Sequence, residues 1–161
     1  MTHGSRMLWG SLVVLGCLLC SLAPVQAQDD AALIQYRQKV MASYGASMGA
    51  IGDIMKNKLP YQNHIFVHAQ DLQRMSTIVP DAFKKEITAG KTDAKPEIWQ
   101  EWDKYVAASE ALGREAAELA KVAQGSDMAA IAAQVKKVGD TCGDCHKPYR
   151  KPKEESYKNV K

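Results

Sequence analysis

The chain has 161 residues, a length that suits one domain with a substantial hydrophobic core. Its 21 Lys and Arg residues nearly balance 18 Asp and Glu residues, and the formal net charge of +3 is too small to indicate a nucleic-acid-binding protein. The sequence contains no long basic amphipathic helix of the kind that binds a membrane surface.

Residues 1–27 have the pattern of a secretory signal peptide. Arg6 supplies a positive charge near the start, an apolar run follows over residues 7–22, and a small-residue cleavage site ends at Ala27. The apolar run is too short and too broken to span a bilayer comfortably. We therefore predict an exported protein whose mature chain begins at Gln28 and has no membrane span.

Two of the four Cys residues, Cys17 and Cys20, lie within this apolar run. Cleavage would remove them, and we expect residues 28–161 to form the single domain and to contain no disulfide. A short segment that ends at Cys17 weakly resembles a lipoprotein processing site. This alternative would leave a lipid-bearing Cys17 at the N-terminus.

A first helix is predicted directly after the cleavage site. Asp29 and Asp30 can cap its N-terminus, where negative charge favours the positive end of the helix dipole. Apolar residues then recur at helical spacing as far as Met55, which indicates one broad buried face. Pro60 ends this helix at about residues 56–58.

A second helix is predicted over residues 62–78. Its inward stripe places His68 among apolar side chains, and Pro80 closes it. One further turn is expected within residues 81–87, followed by a polar loop over residues 88–95.

The second half of the chain predicts two more helices. Pro96 is well placed as the first residue of the third helix, and Gly125 stops it. Ser126 or Asp127 then caps the fourth helix. No segment shows the alternation of a strand, so the pattern indicates an all-α protein, an antiparallel four-helix bundle with short connections.

The most specific motif lies near the end of the chain and reads Cys142-Gly143-Asp144-Cys145-His146. Cys-x-x-Cys-His is the attachment motif of a c-type haem. Two thiols three residues apart on a helical turn can bond the two vinyl groups on one haem edge, and the His that follows can bind the iron. A thioredoxin-like pair would need a βαβ setting, and a zinc site would need a second pair of ligands. We therefore predict one covalently attached haem c per chain.

The position of this motif constrains the second axial ligand. No Met or His follows His146, so a side chain of either type must come from an earlier helix. The candidates in the mature chain are Met41, Met48, Met55, Met75, Met128, His64 and His68. A His on an apolar face, such as His68, is more often a core residue than an iron ligand, and His64 is expected at the surface.

Three segments together resemble a known protein family. They are Tyr36-Arg37-Gln38 followed by Met41, then Ala94-Lys95-Pro96-Glu97-Ile98-Trp99, then Cys142-x-x-Cys145-His146-x-x-Tyr149-Arg150. On these segments the chain resembles the class II c-type cytochromes, the cytochrome c′ and cytochrome c556 family, over most of its mature length. The resemblance implies a left-handed four-helix bundle holding one haem, a bacterial periplasmic location, His146 as proximal ligand and Arg150 near the proximal side. Cytochromes c′ are standard examples of the four-helix bundle. Once the family is named, the bundle is therefore no longer predicted from the helical pattern alone.

The resemblance also singles out Met41. Many cytochromes c′ have an apolar residue at this position, often Leu, which blocks the iron and leaves it five-coordinate. The c556-type members have a Met ligand there, and a thioether favours reduced iron and raises the reduction potential. The alternatives are that Met41 is a core residue or that Met48, two turns further along the same face, is the ligand.

Two further features concern charge. Arg37 lies one turn before Met41, and its guanidinium group suits the carboxylate of a haem propionate; the alternative is a partly exposed Arg at the helix edge. Basic residues also gather near the C-terminus, opposed only by Glu154 and Glu155: Lys147, Arg150, Lys151, Lys153, Lys158 and Lys161. This tail is either a solvated, frayed terminus or a docking patch for an acidic redox partner.

The first functional interpretation is a low-spin electron carrier with His146 and Met41 on the iron, which exchanges electrons with redox partner proteins. The second is a high-spin cytochrome c′ that binds nitric oxide or carbon monoxide. We do not expect an enzyme, because a peroxidase would need a distal acid–base pair that the sequence does not offer beside Met41. A homodimer through the first helix is left open. The residues expected to hold or contact the haem are Cys142, Cys145, Arg37, Tyr149 and Arg150.

Overall fold

Four long helices form the bundle that the sequence predicts. The computed structural model of the chain describes residues 25–159. Within that range the regular structure is helical, apart from one isolated bridge between Ala94 and Arg150. The helices are α1 (Val25–Lys56), α2 (Gln62–Ser76), α3 (Val79–Phe83), α4 (Glu97–Gln100), α5 (Trp102–Val122) and α6 (Met128–Tyr149), with a 3₁₀ turn at Lys153–Glu155. The long helices α1, α2, α5 and α6 confirm the predicted all-α class.

The first helix begins earlier than predicted. α1 starts at Val25, so Asp29 and Asp30 lie inside the helix and do not cap it. The prediction was wrong because residues 25–28 contain no helix-breaking residue, and the helical pattern simply extends through them. Asp30 instead forms an ion pair with Lys85, which lies after α3.

Most of the predicted signal peptide lies outside the described residues. This applies to Arg6, to the apolar run over residues 7–22 and to the two Cys residues within that run. The predicted cleavage site at Ala27 falls inside α1. Within residues 25–159, no helix combines the length and the hydropathy that a membrane span requires.

The middle of the chain departs from the predicted boundaries at two places. Pro80 does not simply close α2: it lies in the first turn of α3, where its missing N–H costs no helical hydrogen bond. The predicted third helix is interrupted at Glu101, whose φ of −122° and ψ of 42° separate α4 from α5. At the start of α6, Asp127 is the cap, because its side chain accepts hydrogen bonds from the amides of Ala129 and Ala130.

The core lies between the four long helices. Ile51 of α1, Leu72 of α2, Leu119 of α5 and Val138 of α6 are fully buried, and each such side chain contributes about 1.5–3 kcal/mol relative to an exposed position. α1 packs against α2, α2 against α5, and α5 against α6. This order leaves α1 and α6 facing each other across a space that the helices do not fill.

The C-terminal segment folds back over the loop before α4. Asp93 holds it, since its carboxylate accepts hydrogen bonds from the Ser156 hydroxyl at 2.9 Å and from the Tyr157 amide at 3.0 Å. The Lys151 amide donates to the Asp93 carbonyl at 2.8 Å, and the Lys95 amide donates to the Tyr149 carbonyl at 3.1 Å. The alternative of a frayed terminus is therefore wrong up to residue 159, because the partly buried carboxylate of Asp93, 63 residues before Ser156, fixes this segment in a way that no local pattern shows.

The contact between α2 and α5 depends on a glycine. The Ser109 hydroxyl of α5 donates to the Ser76 carbonyl of α2 at 2.9 Å. A Cβ atom at Gly113 would lie 2.4 Å from Ser76 Oγ and 3.3 Å from Ser76 Cβ. Gly113 therefore allows the two helices to approach closely.

We expect Gly113→Ala to lower the free energy of unfolding. Overpacking costs about 1–3 kcal/mol, and the better helix propensity of Ala offsets at most about 1 kcal/mol of it. Gly52→Ala is the matched control, because nothing lies within 4 Å of the new Cβ atom, and it should stabilise the protein slightly. Urea denaturation of both variants measures the difference. Equal urea midpoints for Gly113→Ala and Gly52→Ala would contradict the expected steric conflict.

Candidate functional site

A cavity of about 960 Å³ separates α1 from α5 and α6. Its volume falls within the range of cofactor sites, about 300–1,000 Å³. Every residue that the sequence predicted for the haem lines this cavity: Arg37, Met41, Cys142, Cys145, His146, Tyr149 and Arg150. The fold therefore brings the middle of α1 and the end of α6 to one site, although Met41 and Cys142 are about 100 residues apart in the chain.

The attachment motif forms the α6 wall of the cavity. Cys142 and Cys145 are partly buried and their thiols are free. Burial raises the pKa of both thiols, and for Cys145 the neighbouring Cys142 adds to this effect and the pKa reaches about 11. The thiols are therefore protonated at neutral pH.

His146 lies next to the thiols at the same wall. Its relative exposure is high, yet it also lines the cavity. Desolvation lowers its pKa first, and the charge of Arg150 lowers it further. At neutral pH the imidazole is thus mostly neutral, which is the form that binds a metal ion.

Arg37 is anchored at the α1 wall. It is only 3% exposed. Its Nε donates to the Ala82 carbonyl at 2.8 Å, and its Nη2 donates to the Lys85 carbonyl. The guanidinium carbon lies 4.9 Å from the ring centre of Phe83 and 5.7 Å from that of Trp99. The alternative of a partly exposed Arg is therefore wrong.

The remaining nitrogen of Arg37 lacks a partner. Nη1 is buried and makes no hydrogen bond to any described residue. Desolvation lowers the pKa of the guanidinium group, while Tyr105 and Asp30 oppose this effect, and an Arg side chain stays charged in any case. A buried cation with one unused donor at a cavity wall suits an anionic group. Its pairing with a haem propionate stays a prediction.

Tyr149 and Arg150 follow the motif at the edge of the cavity. Tyr149 is buried, and its ring packs edge to face against that of Tyr105, with 5.3 Å between the ring centres. The Tyr149 hydroxyl donates to a Glu101 carboxylate oxygen at 3.3 Å. Arg150 is exposed and lies 3.7 Å from the carboxylate of Asp93, so it links the motif to the folded-back C-terminal segment.

Tyr44 also lines the cavity, although the sequence pattern marks it only as one of the apolar residues that recur along the first helix. It is 8% exposed, and its hydroxyl is buried without a hydrogen-bond partner among the described residues. Burial raises the pKa of Tyr44 well above its usual value, and negative charge on Cys142 and Cys145 would raise it further. Tyr44 therefore lies within electrostatic range of both thiols. Its position three residues after Met41 is the signal that could have revealed it.

The cavity reduces the list of possible axial ligands. Of the seven candidates, Met41 and Met48 line it and the other five do not. His64 is exposed, as expected for a surface residue. Its ring stacks on that of Tyr61, with 5.0 Å between the ring centres. His68 is partly buried in α2, and its Nδ1 has no partner among the described residues.

These residues fit a covalently attached haem. The two Cys thiols and the neutral imidazole of His146 lie on the α6 wall. The Arg37 cation, with its unused N–H donor, lies on the α1 wall. Aliphatic and aromatic side chains form most of the rest, among them Val79, Ile98 and Leu112. The bundle and this site together define an all-α protein that holds a planar, covalently attached cofactor between its helices.

Comparison with known proteins agrees with this class. The sequence model of the cytochrome c′ family matches residues 32–150. Cytochrome c′ of Rhodospirillum rubrum is 37% identical over 82% of this chain and 90% of its own length. Cytochrome c-556 of Agrobacterium fabrum is 32% identical over 86% of this chain and 90% of its own length. Among solved structures, the nitric oxide complex of a leucine-to-alanine mutant of cytochrome c′ from Alcaligenes xylosoxidans has a TM-score of 0.67 at 27% identity, covering 76% of this chain and 97% of that one.

The chain therefore belongs to the cytochrome c′ family. The predicted family, bundle and haem c cofactor are confirmed, and the protein is an electron-transfer or gas-binding cytochrome. Members of the family often form dimers. A homodimer of this chain stays open, and the redox partner proteins and the absence of enzymatic activity stay predictions.

Proposed function

We propose that this protein is a low-spin c-type cytochrome that carries single electrons. In this proposal Cys142 and Cys145 attach the haem, and His146 and Met41 are its axial ligands. The observation that carries the proposal is the place of Met41 on the cavity wall, between Arg37 and Tyr44 along α1.

The order of these three residues favours Met41 over Met48. Arg37 lies one turn before Met41 and has an unused donor suited to a propionate, whereas Tyr44 lies about one turn after it, within range of both thiols. The thioether edge and the propionate edge are opposite sides of a haem. If Arg37 pairs with a propionate, a residue between Arg37 and Tyr44 would face the ring, whereas Met48 lies a further turn along α1.

The protein side chains define the chemistry of this site. When bound, haem c supplies a one-electron couple between ferric and ferrous iron. The neutral imidazole of His146 is a nitrogen donor, and the thioether of Met41 is a soft donor that favours the ferrous state. Each of these residues belongs to a long helix packed against a neighbouring one, so both donors have rigid supports. Most of the cavity wall is apolar, and the Arg37 cation would offset the charge of an anionic group.

The second candidate function is the binding of nitric oxide or carbon monoxide. It is favoured by the solved relative that contains nitric oxide. In this alternative Met41 fills the distal space without binding the iron. Absorption spectra of the native ferric and ferrous protein distinguish the two functions: low-spin spectra in both states support the electron carrier, and high-spin spectra support the gas-binding protein.

We also infer that the protein works in the periplasm, since a haem of this type is attached after export and residues 1–27 have the signal-peptide pattern. The expected intact mass of the native holoprotein is that of residues 28–161 plus one haem. Ala27→Arg should prevent cleavage, because a large charged side chain does not suit the small-residue site. A mass that includes Met1 or a lipid on Cys17 would contradict the inferred processing.

A further inference from the structure

We propose that Tyr44 is the hydrogen-bond donor of the distal pocket, and that its hydroxyl group donates to the axial ligand opposite His146. The inference rests on the proposed function only for the identity of that ligand, which in the electron carrier is the sulfur atom of Met41.

The first observation is an unsatisfied hydroxyl group. Tyr44 is 8% exposed, and its oxygen is buried without a hydrogen-bond partner among residues 25–159. Leaving a buried donor unpaired costs about 1–3 kcal/mol. Native structures rarely accept that cost, so the group that occupies the cavity is the natural source of the partner.

The second observation is that two residues with an unpaired buried polar atom line the cavity. Among the described residues, four have a buried side-chain polar atom without a partner: Arg37, Tyr44, His68 and Glu97. Arg37 and Tyr44 line the cavity, whereas His68 and Glu97 do not. The two cavity residues lie two turns apart on α1, so they meet different parts of one bound group.

The chemistry of a haem then identifies the acceptor. Its own strong acceptors are the propionate carboxylates, at the edge opposite the thioether bonds. Tyr44 lines the cavity two turns along α1 from Arg37, the residue suited to a propionate, so it meets a different part of the bound group. The remaining acceptor is the distal axial ligand. A thioether that binds a metal through one lone pair keeps a second one, which makes it a weak acceptor.

This hydrogen bond would adjust the redox properties of the site. Donation to the sulfur of Met41 withdraws electron density from it, which weakens its bond to ferric iron more than its bond to ferrous iron. Tyr44 therefore raises the reduction potential. If the sulfur is absent, the same hydroxyl group can donate to a diatomic ligand.

The direct test compares Tyr44→Phe with Tyr36→Phe in the holoprotein. Both changes remove one hydroxyl group from α1, but Tyr36 is 47% exposed and does not line the cavity. Tyr44→Phe should lower the reduction potential and shift the sulfur-to-iron charge-transfer band of the ferric protein, whereas Tyr36→Phe should change neither. If Tyr44→Phe and Tyr36→Phe have the same reduction potential and the same charge-transfer band, Tyr44 does not donate to the sulfur of Met41 and the proposal is overturned for an electron carrier.

A second measurement separates this inference from the ligand assignment. In a Met41→Leu background loaded with carbon monoxide, adding Tyr44→Phe should raise the C–O stretching frequency and speed carbon monoxide release about fivefold, as expected for one hydrogen bond. If the native protein is already high-spin, the Met41 assignment fails, but the same comparison runs in the native background and still tests Tyr44. An unchanged frequency and release rate would overturn the inference.

Discussion

Met41→Leu is expected to convert the ferric protein from low spin to high spin. Leu has a similar volume, and such a change usually costs less than about 1.5 kcal/mol of stability. It removes the sulfur donor, so the reduction potential should fall and the iron should become open to carbon monoxide. Absorption spectroscopy, electron paramagnetic resonance and potentiometry of the purified variant measure these effects.

Met48→Leu is the matched control, because Met48 belongs to the same helix and lines the same cavity. We expect it to leave the spectrum and the potential unchanged. If instead Met48→Leu converts the ferric protein from low spin to high spin and Met41→Leu does not, Met41 is not the ligand. The proposed function as an electron carrier is then retained. A native protein that is high-spin and binds carbon monoxide readily would favour the gas-binding function.

Replacing both Cys142 and Cys145 with Ser is expected to abolish covalent attachment. A hydroxyl group does not form the thioether bond, so haem should extract into acidified organic solvent and haem staining of a denaturing gel should disappear. Unfolding should also occur at lower denaturant concentration, because loss of the haem leaves a cavity of about 960 Å³ in the bundle.

Asp144→Ser provides the control within the same motif. Asp144 is exposed, and its ion pair with Lys147 lies at the surface, with side chains 71% and 79% exposed. We expect the stained band to persist in this variant. Extraction of haem from the native protein under the same conditions would refute covalent attachment by the two thiols.

The sequence alone determined those features that depend on residues close together in the chain. Helical periodicity predicted the long helices, and the start of the last one was predicted at Ser126 or Asp127, because helix formation depends on contacts within one turn. The haem motif needs one helical turn, so five consecutive residues identify it. The prediction failed where residues distant in the chain decide the structure. One example is the C-terminal segment, which hydrogen bonds to Asp93 hold in place.

The tertiary structure decided which residues meet at the site. Arg37 makes its hydrogen bonds to carbonyl groups 45 and 48 residues away, and this contact leaves one donor for the cavity. Chain order left seven possible axial ligands, and the resemblance favoured Met41 with Met48 as the alternative. The packing of the helices puts these two residues, and not the other five, on the cavity wall. The unpaired hydroxyl of Tyr44 appears in no sequence pattern, because a missing partner depends on every element that packs around it.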